Sequence, residues 1–360
     1  MSDNLTHYRC PACGGTLEFN SRVQKLKCPY CDTEVDIDAL KTLQTAAEPE
    51  PDAELRGGNT FTEEELEQTE SYECASCGGQ IIVPKGTGAM SCPFCGNAQV
   101  VPKEFVGALR PDFLVPFKLD RQQVKDQYLK HLEGKYFLPK VFKQQNHINE
   151  IKGIYVPYWL FDSRVKADLH FKCEKIETTR VGDYIHKKHL YYSVRRKGQL
   201  SFADVPADAS SKMPDDLMDS LEPFSPQEGV PYNSAYLSGY LANRYDQDYT
   251  VLLPRVQGRM LNSTVEVFRS SVRGYDRVTL EDKQVSYHDL SFRYALFPVW
   301  LLTTNWQGKR FTFAMNGQTG KFVGNLPRDD KAFYSAFALL AVVFSIIGTL
   351  LAYAYLIMEE

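Results

Sequence analysis

Eight of the nine cysteines in this 360-residue chain fall into two sets with the same internal spacing. Each set consists of two Cys-x-x-Cys pairs separated by fourteen residues, and the second set begins 64 residues after the first. A Cys-x-x-Cys pair forms a tight turn that directs both sulfurs at one metal ion, and two pairs supply a tetrahedron of thiolates. The predicted metal ligands are Cys10, Cys13, Cys28 and Cys31 in the first set and Cys74, Cys77, Cys92 and Cys95 in the second.

Zinc is the metal predicted for both sites, which gives two zinc ions per chain. Four protein thiolates leave no open coordination position, so the expected role is structural and not catalytic. Iron in a rubredoxin-like site would use the same ligands and is kept as an alternative. A disulfide framework is disfavoured, because residues 1–7 contain no apolar run typical of an export signal and cysteines inside the cell are normally reduced.

The residues between the cysteine pairs must fold back so that the second pair meets the first. In the first set, residues 16–19 and 23–27 alternate as the strands of a hairpin do, with a turn predicted at 20–21. The position after each pair favours positive φ, which glycine adopts freely and aspartate with some strain. The residues at these positions are Gly14, Asp32, Gly78 and Gly96. Each set therefore predicts a small zinc ribbon, whose folding depends on the metal.

A second pattern lies at residues 332–358, which are 27 positions without a charged side chain. As a helix they would extend about 40 Å, which exceeds the thickness of a bilayer's hydrocarbon core. Arg328 and Lys331 precede this segment, and their positive charge predicts that residues 1–331 lie in the cytoplasm. Only Glu359 and Glu360 follow, so we expect a single-pass, tail-anchored membrane protein. A buried core helix is the alternative.

Small residues recur at four-residue steps in the apolar segment, at Ala341, Ser345 and Thr349 and again at Gly348 and Ala352. Such steps can form a seam between helices and would allow an oligomer through the membrane. Ordinary transmembrane composition is the alternative explanation.

Charge is distributed unevenly along the chain. Residues 1–104 carry 8 Lys/Arg against 17 Asp/Glu, a balance of −9, whereas residues 105–330 carry 32 against 26, a balance of +6. Residues 41–71 read as an acidic linker with one short helix, begun by a capping box from Thr62 to Glu65. The linker is predicted to be a solvated spacer that holds the ribbons away from the membrane; an acidic docking site for a basic partner is the alternative.

Helix and strand patterns follow in residues 105–330. Asp120 is expected to cap a helix with Val124, Tyr128 and Leu132 on one face, and a second helix is predicted at about residues 254–273. A β-meander should occupy residues 297–324, with turns at 307–308 and 316–317. Residues 156–160 and 297–301 have similar sequences, which suggests two related β halves.

The predicted fold class is therefore α+β and multidomain. It comprises zinc ribbon 1 at residues 1–40, the acidic linker at 41–71, zinc ribbon 2 at 72–104, a β-rich α+β cytoplasmic domain at 105–330 and one C-terminal transmembrane helix at 331–358. The sequence contains no Walker loop, dinucleotide fingerprint or nucleophile elbow. His186 and His189 lack a metalloprotease context, and Cys173 reads as a plain strand residue. We therefore predict no catalytic residues, no organic cofactor and no enzymatic activity.

The paired ribbons, residues 153–162, the turn at 316–321 and the terminal apolar helix together resemble one bacterial family, the membrane-anchored TFIIB-type double zinc-ribbon proteins of the YdjG kind. The resemblance covers nearly the whole chain. It implies that the eight cysteines are metal ligands and that the protein lies in the bacterial inner (cytoplasmic) membrane. It also implies work beside SPFH-domain and PspA-like proteins in membrane stress.

Two functions are compatible with these patterns. The first is a membrane adaptor whose cytoplasmic ribbons recruit or assemble protein partners. The second is a membrane-tethered nucleic-acid-binding protein, which would need a basic surface. Residues 7–38 have 4 Lys/Arg against 5 Asp/Glu and residues 72–104 have 2 against 2, so nucleic acid is disfavoured, although Arg22, Lys25 and Lys27 could cluster on one hairpin face.

Overall fold

The computed structural model describes residues 10, 12–13, 15–37, 59–62, 65–66, 69–85, 91–98, 100–103, 109–144 and 150–358. Within these ranges the α-helices are α1 (Arg121–Leu132), α2 (Asp215–Leu221), α3 (Tyr249–Ser270) and α4 (Asp330–Met358). Short 3-10 helices occupy Lys140–Lys143, Pro226–Glu228 and Ser234–Leu237. The predicted α+β fold class is confirmed.

The described strands form three sheets. A three-stranded antiparallel sheet contains β1 (Glu18–Asn20), β2 (Lys25–Lys27) and β3 (Glu34–Val35), and a two-stranded sheet pairs β4 (Asn59–Thr60) with β8 (Leu109–Arg110). The remaining strands form one eleven-stranded sheet: β5 (Thr69–Cys74), β6 (Gln80–Pro84), β7 (Val100–Lys103), β9 (Phe113–Leu114), β10 (Lys152–Val181), β11 (Tyr184–Asp208), β12 (Val230–Pro231), β13 (Leu241–Asn243), β14 (Arg277–Trp306), β15 (Lys309–Asn316) and β16 (Phe322–Gly324).

The antiparallel pair β10–β14 is the spine of the large sheet, with a register that runs from Lys152 opposite Leu301 to Glu174 opposite Arg277. Strand β13 continues the sheet beside the start of β10, and β6, β5 and β7 follow in that order. The strands of the second ribbon are thus part of the main sheet, although the sequence suggested a separate small unit. The exact domain bounds stay predictions.

The first part of β10 is buried on both faces, which explains why residues 154–161 are apolar without alternation. On one face Tyr155 and Trp159 pack in a core that includes residues of α1 and α3. On the other face Val156 and Tyr158 join α2 and the second ribbon. The two similar sequence segments meet here, because Val156 lies directly opposite Phe297.

The helix predictions are confirmed with one correction. The N-cap of α1 is Asp120, which accepts from the backbone of Gln123, and the helix buries the three predicted residues. Helix α3 begins at Tyr249, five residues before the predicted start, and Pro254 lies inside it. The Asp248 side chain accepts from Thr250 N and so defines an earlier start than the proline suggested.

In the β-meander the predicted turn at 307–308 is confirmed, whereas the one predicted at 316–317 is longer, since Gly320 N donates to Asn316 O and Asn316 N donates to Lys321 O. Strands β14 and β15 are joined at Gln307 and Gly308, both with positive φ, as a two-residue hairpin requires. In the first ribbon the turn is longer than predicted, since Gln24 N donates to Asn20 O and β2 begins only at Lys25. The capping box of the acidic linker is present between Thr62 and Glu65; most of that linker lies outside the described residues.

A long projection extends from the sheet, which we call the arm: residues 164–181 of β10, 184–201 of β11 and 277–288 of β14. One face of the arm is covered by α3, where Leu169, Phe171 and Cys173 pack with Val265. The other face carries mainly polar, exposed side chains. Because only one face of the arm is buried, its strands show the apolar–polar alternation that the first part of β10 lacks.

Helix α4 stands apart from the core. Residues Asp330–Leu351 are long and apolar enough to cross a membrane, and none of this stretch is buried, which is consistent with a single-pass membrane protein. Its start is fixed to the body, because Asp329 N donates to Phe137 O and the Phe333 ring packs edge-on against Phe137.

Candidate metal centres

The structure brings together all eight cysteines that the sequence selects, in two groups of four. In the first group the Cys10 and Cys31 Sγ atoms are 3.4 Å apart, and those of Cys13 and Cys28 are 3.5 Å apart. All four sulfurs lie within 4.8 Å of one another. A tetrahedral metal with metal–sulfur bonds near 2.3 Å places its sulfurs about 3.8 Å apart. The group therefore has the dimensions that a bound metal ion requires.

The second group repeats this geometry. The Sγ atoms of Cys74 and Cys95 are 3.6 Å apart, as are those of Cys77 and Cys92. Among the described residues these two groups are the metal-ligand clusters of three or more side chains. The four thiols in each group would fill all four coordination positions of a tetrahedral ion, so neither site would have an open position for water or a substrate.

Backbone hydrogen bonds build the turn at each cysteine pair. Cys74 N donates to Gly79 O, and Gly78 N donates back to Cys74 O; equivalent bonds occur at Cys28 and Cys92. The residue that donates back has the positive φ that the spacing predicts: 59° at Asp32, 66° at Gly78 and 76° at Gly96. Gly14 lies outside the described residues. The turns thus follow from local sequence alone.

The same turns lower the pKa of the first thiol in each ribbon. Burial raises the pKa of Cys10, but backbone hydrogen bonds at Ala12 and Cys13 outweigh it and bring that pKa to about 6. Burial likewise raises the pKa of Cys74, while backbone hydrogen bonds at Cys77 and Ser76 bring it to about 7. Each ribbon therefore offers at least one thiolate near neutral pH to an incoming metal.

The first ribbon docks on the main body through its hairpin. The Phe19 ring packs edge-on against Tyr236, with centroids 5.0 Å apart, and Phe19 N donates to Ser238 O. Gln24 Nε2 donates to Phe117 O, and Arg22 forms an ion pair with Asp120. The hairpin thus carries an apolar face that the main domain covers, and the expectation that the linker holds this ribbon away from the membrane stays a prediction.

The basic side chains of this hairpin all have acidic neighbours. Besides the Arg22 pair, Lys27 Nζ lies 3.0 Å from Asp32 and Lys25 Nζ lies 3.9 Å from Asp36. The carboxylates reduce the positive charge that the hairpin could offer to a phosphate backbone.

The second ribbon is more deeply embedded in the main domain than the first. Its Ile81 and Val83 are fully buried in the core beside α2, and Ile82 pairs with Ala242 of β13. Lys152 Nζ donates to Ser91 O, 2.8 Å away, which ties the loop before Cys92 to the start of β10. Sequence reasoning missed this fusion, although the uninterrupted apolar run at 81–83 was a signal for a strand buried on both faces.

The two ribbons use one equivalent aromatic position differently. Tyr30 and Phe94 each stand before the last cysteine of their set. Both rings lie over the second glycine after the first pair, because a Cβ placed on Gly15 or Gly79 would come within 2.7 Å of them. Phe94 is 5% exposed and belongs to the core cluster, whereas Tyr30 is 79% exposed.

The other residues considered for chemistry lie far from these groups in the fold. Cys173 is buried in the arm against α3. His189 Nδ1 lies 2.5 Å from Glu174 Oε1 on the arm, and His186 is exposed near its tip.

Comparison with known proteins places the chain. No family model matches it, and no solved structure matches it. The chain is 31% identical over 323 residues to a Bacillus subtilis (strain 168) protein named Uncharacterized protein YdjG, and the match covers 90% of each. The chain belongs to the YdjG family. The name of this relative assigns no activity.

Proposed function

We propose that this YdjG-family protein is a tail-anchored membrane adaptor whose ribbons recruit or assemble protein partners at the membrane. The observation that carries the proposal is the exposure of the Tyr30 side chain. Its counterpart Phe94 fixes the second ribbon to the body by packing in the core, while Tyr30 keeps the same local position over Gly15 and is 79% exposed. A large exposed aromatic side chain is typical of an interface anchor.

Zinc is the metal we assign to both groups, since four thiolates in a closed tetrahedron are its usual structural site and iron is the less common occupant. The first ion would be held by Cys10, Cys13, Cys28 and Cys31, and the second by Cys74, Cys77, Cys92 and Cys95. Bound zinc would cross-link each ribbon and thereby hold Tyr30 in place; it supplies no open position for a substrate. We therefore retain the expectation that the protein is not an enzyme.

The membrane and its partners are also part of the proposal. Helix α4 would cross the bacterial inner membrane once, with residues 1–331 on the cytoplasmic side, as Arg328 and Lys331 before the apolar stretch favour. A cytoplasmic location suits reduced cysteines. By family resemblance, with ribbons of the TFIIB type, we propose SPFH-domain or PspA-like proteins of the membrane-stress response as partners. Oligomerisation through α4 stays open as a further contact.

The test is co-purification of full-length protein from detergent-solubilised membranes, followed by identification of the accompanying proteins. We expect Tyr30→Ser to lose a specific partner while both metal ions stay bound. Tyr136→Ser is the matched control, because Tyr136 is similarly exposed but lies outside both ribbons. Equal recovery of every partner by wild type and Tyr30→Ser would contradict the adaptor proposal.

Nucleic-acid binding is the second candidate, and the charges of the ribbons do not favour it. The three basic residues of the first hairpin are engaged with Asp120, Asp32 and Asp36. A gel shift with the full-length protein at two salt concentrations would decide: tight, salt-dependent binding would support this candidate over the adaptor.

A further inference from the structure

Strand β11 lies at an open edge of the arm. It pairs with β10, and from Phe202 opposite Ser163 to Tyr184 opposite Val181 the register runs without a shift. Within the described residues no strand pairs with the other side of β11. This side therefore offers a long, regular row of backbone N–H and C=O groups, which is a template for an additional strand.

The charge of the arm is concentrated on this edge strand. Residues 184–203 contain five basic and no acidic side chains: Lys187, Lys188, Arg195, Arg196 and Lys197. The neighbouring strands are mixed, since residues 164–181 of β10 contain five basic and three acidic side chains and residues 277–288 of β14 contain two of each. A negatively charged ligand is therefore attracted to a position along β11 more than to a position across the face of the arm.

Part of this charge is already compensated within the arm. Arg195 Nη2 lies 2.5 Å from Asp168 Oδ2, and Arg196 donates to Ser271 on the side of α3. Lys187 and Lys188 are exposed and form no ion pair among the described residues. An external negative charge would therefore have its most favourable electrostatic interaction at these two lysines.

A second copy of this chain does not suit the edge. Two β11 strands side by side would place basic side chains against basic side chains, which destabilises a pair. Lysines on an open edge are indeed a common protection against such self-association. The same lysines attract a strand of opposite charge, so protection against self-association and recognition of an acidic strand are compatible.

Two aromatic side chains of β11 already contact other side chains of this chain. Lys172 Nζ lies 5.3 Å from the centroid of the Tyr191 ring, and the Tyr192 ring packs against Tyr275 with centroids 5.4 Å apart. Single-stranded nucleic acid binds by stacking on free ring faces. Lys172 covers one face of the Tyr191 ring, and the Tyr192 ring meets Tyr275 at an interplanar angle of 54°.

The arm is also far along β14 from the region where the membrane helix starts. Helix α4 starts beside Phe137, and Phe142, five residues further along the chain, packs against Phe313, which lies opposite Leu302. From Leu302 to Arg277, where β14 begins on the arm, the strand extends roughly 80 Å at the usual rise per residue. Strand addition to this edge needs a polypeptide backbone, which a lipid headgroup does not have.

We propose that the free edge of β11 binds an acidic, extended segment of a partner polypeptide, which adds to the arm as a fourth strand. Backbone hydrogen bonds would supply the common affinity of strand addition, and Lys187 and Lys188 would select negative side chains. The inference rests on the proposed adaptor function for the existence of a protein partner, but it uses a surface at the far end of β10 from both ribbons.

The test uses full-length protein in nanodiscs and a fluorescent peptide of about twelve alternating glutamate and valine residues, measured by anisotropy. The matched probe replaces every second valine with proline, which keeps the charge but removes backbone donors. The variant is Lys187→Glu with Lys188→Glu, and the control is Lys130→Glu with Lys140→Glu, an equal change of net charge at exposed positions outside the arm.

We expect the glutamate–valine peptide to bind wild type and the control variant alike, to bind the Lys187/Lys188 variant at least about tenfold more weakly, and the proline probe to bind none of them. Equal binding of the two probes would overturn strand addition, as would equal binding by the two variants. Tighter binding of oligo-dT or anionic vesicles, lost in the Lys187/Lys188 variant, would assign the edge to that ligand instead. Peptide binding by purified protein does not depend on Tyr30 or a cellular partner, so its failure is separate from failure of the adaptor proposal.

Discussion

Loss of one cysteine should disturb a larger part of the fold in the second ribbon than in the first, although the local geometry of the two ribbons is the same. Cys31→Ser and Cys95→Ser each remove the last sulfur of a set and leave three thiolates. Either variant should lose one of two bound metal ions, because a four-sulfur structural site is weakened strongly by the loss of a ligand. The consequence for the rest of the chain depends on what each ribbon packs against.

The second ribbon contributes to the main core. Ile81, Ile82, Val83 and Phe94 are all buried there, and at about 1.5–3 kcal/mol for each side chain they stabilise the fold by roughly 6–12 kcal/mol. This approaches the whole stability of a typical domain, about 5–15 kcal/mol. Strand β6 also pairs with β13, which pairs with β10 at Ile154 and Tyr155. Opening of this ribbon should therefore loosen the main sheet.

The first ribbon has mostly its own small core. Leu17, Leu26 and Ile37 are buried with one another, and Phe19 reaches the main body at Tyr236. No strand of this ribbon pairs with the eleven-stranded sheet among the described residues. Its opening should remain local.

Hydrogen exchange with mass spectrometry on full-length protein in detergent would measure this difference. In Cys31→Ser we expect faster exchange in residues 15–37 only; in Cys95→Ser we expect it also in 152–156 and 241–243. Cys173→Ser is the control for loss of a thiol, with both metal ions retained. The same exchange pattern at 241–243 in both ligand variants would refute the reasoning, since it would mean that the β6–β13 pairing does not transmit the loss.

Three further outcomes are expected. Burial raises the pKa of Asp208 to about 6, so the contribution of its carboxyl group to stability is full below about pH 4 and is lost as the pH rises through 6. Between pH 5 and pH 7.5, the free energy of unfolding measured in urea should therefore fall by about 1–2 kcal/mol more in wild type than in Asp208→Asn. Phe19→Ala should destabilise the docked first ribbon by about 3–5 kcal/mol, seen as faster proteolysis of residues 15–37 with both metal ions bound. Removal of residues 330–360 should release the protein from sedimented membranes, and continued sedimentation would count against α4 as the anchor.

The sequence alone determined what depends on neighbouring residues. The spacing of the cysteines fixed both groups, and the turn at each pair followed because only a few residue types adopt positive φ easily. The cap at Asp120 and the hairpin at Gln307 and Gly308 were readable for the same reason: each is made by groups two to four residues apart. The apolar length of α4 was also a property of a single segment.

Only the tertiary structure decided which surfaces are covered. Tyr30 and Phe94 have the same local setting, yet one is exposed and the other lies in the core. The pairing of β6 with β13 joins residues about 160 positions apart, and the open edge of β11 exists because no later segment reaches it within the described chain. Burial and sheet order depend on contacts between distant segments, which local periodicity does not specify. The two cysteine groups were therefore predictable residue by residue, whereas the different packing of the two ribbons required the fold.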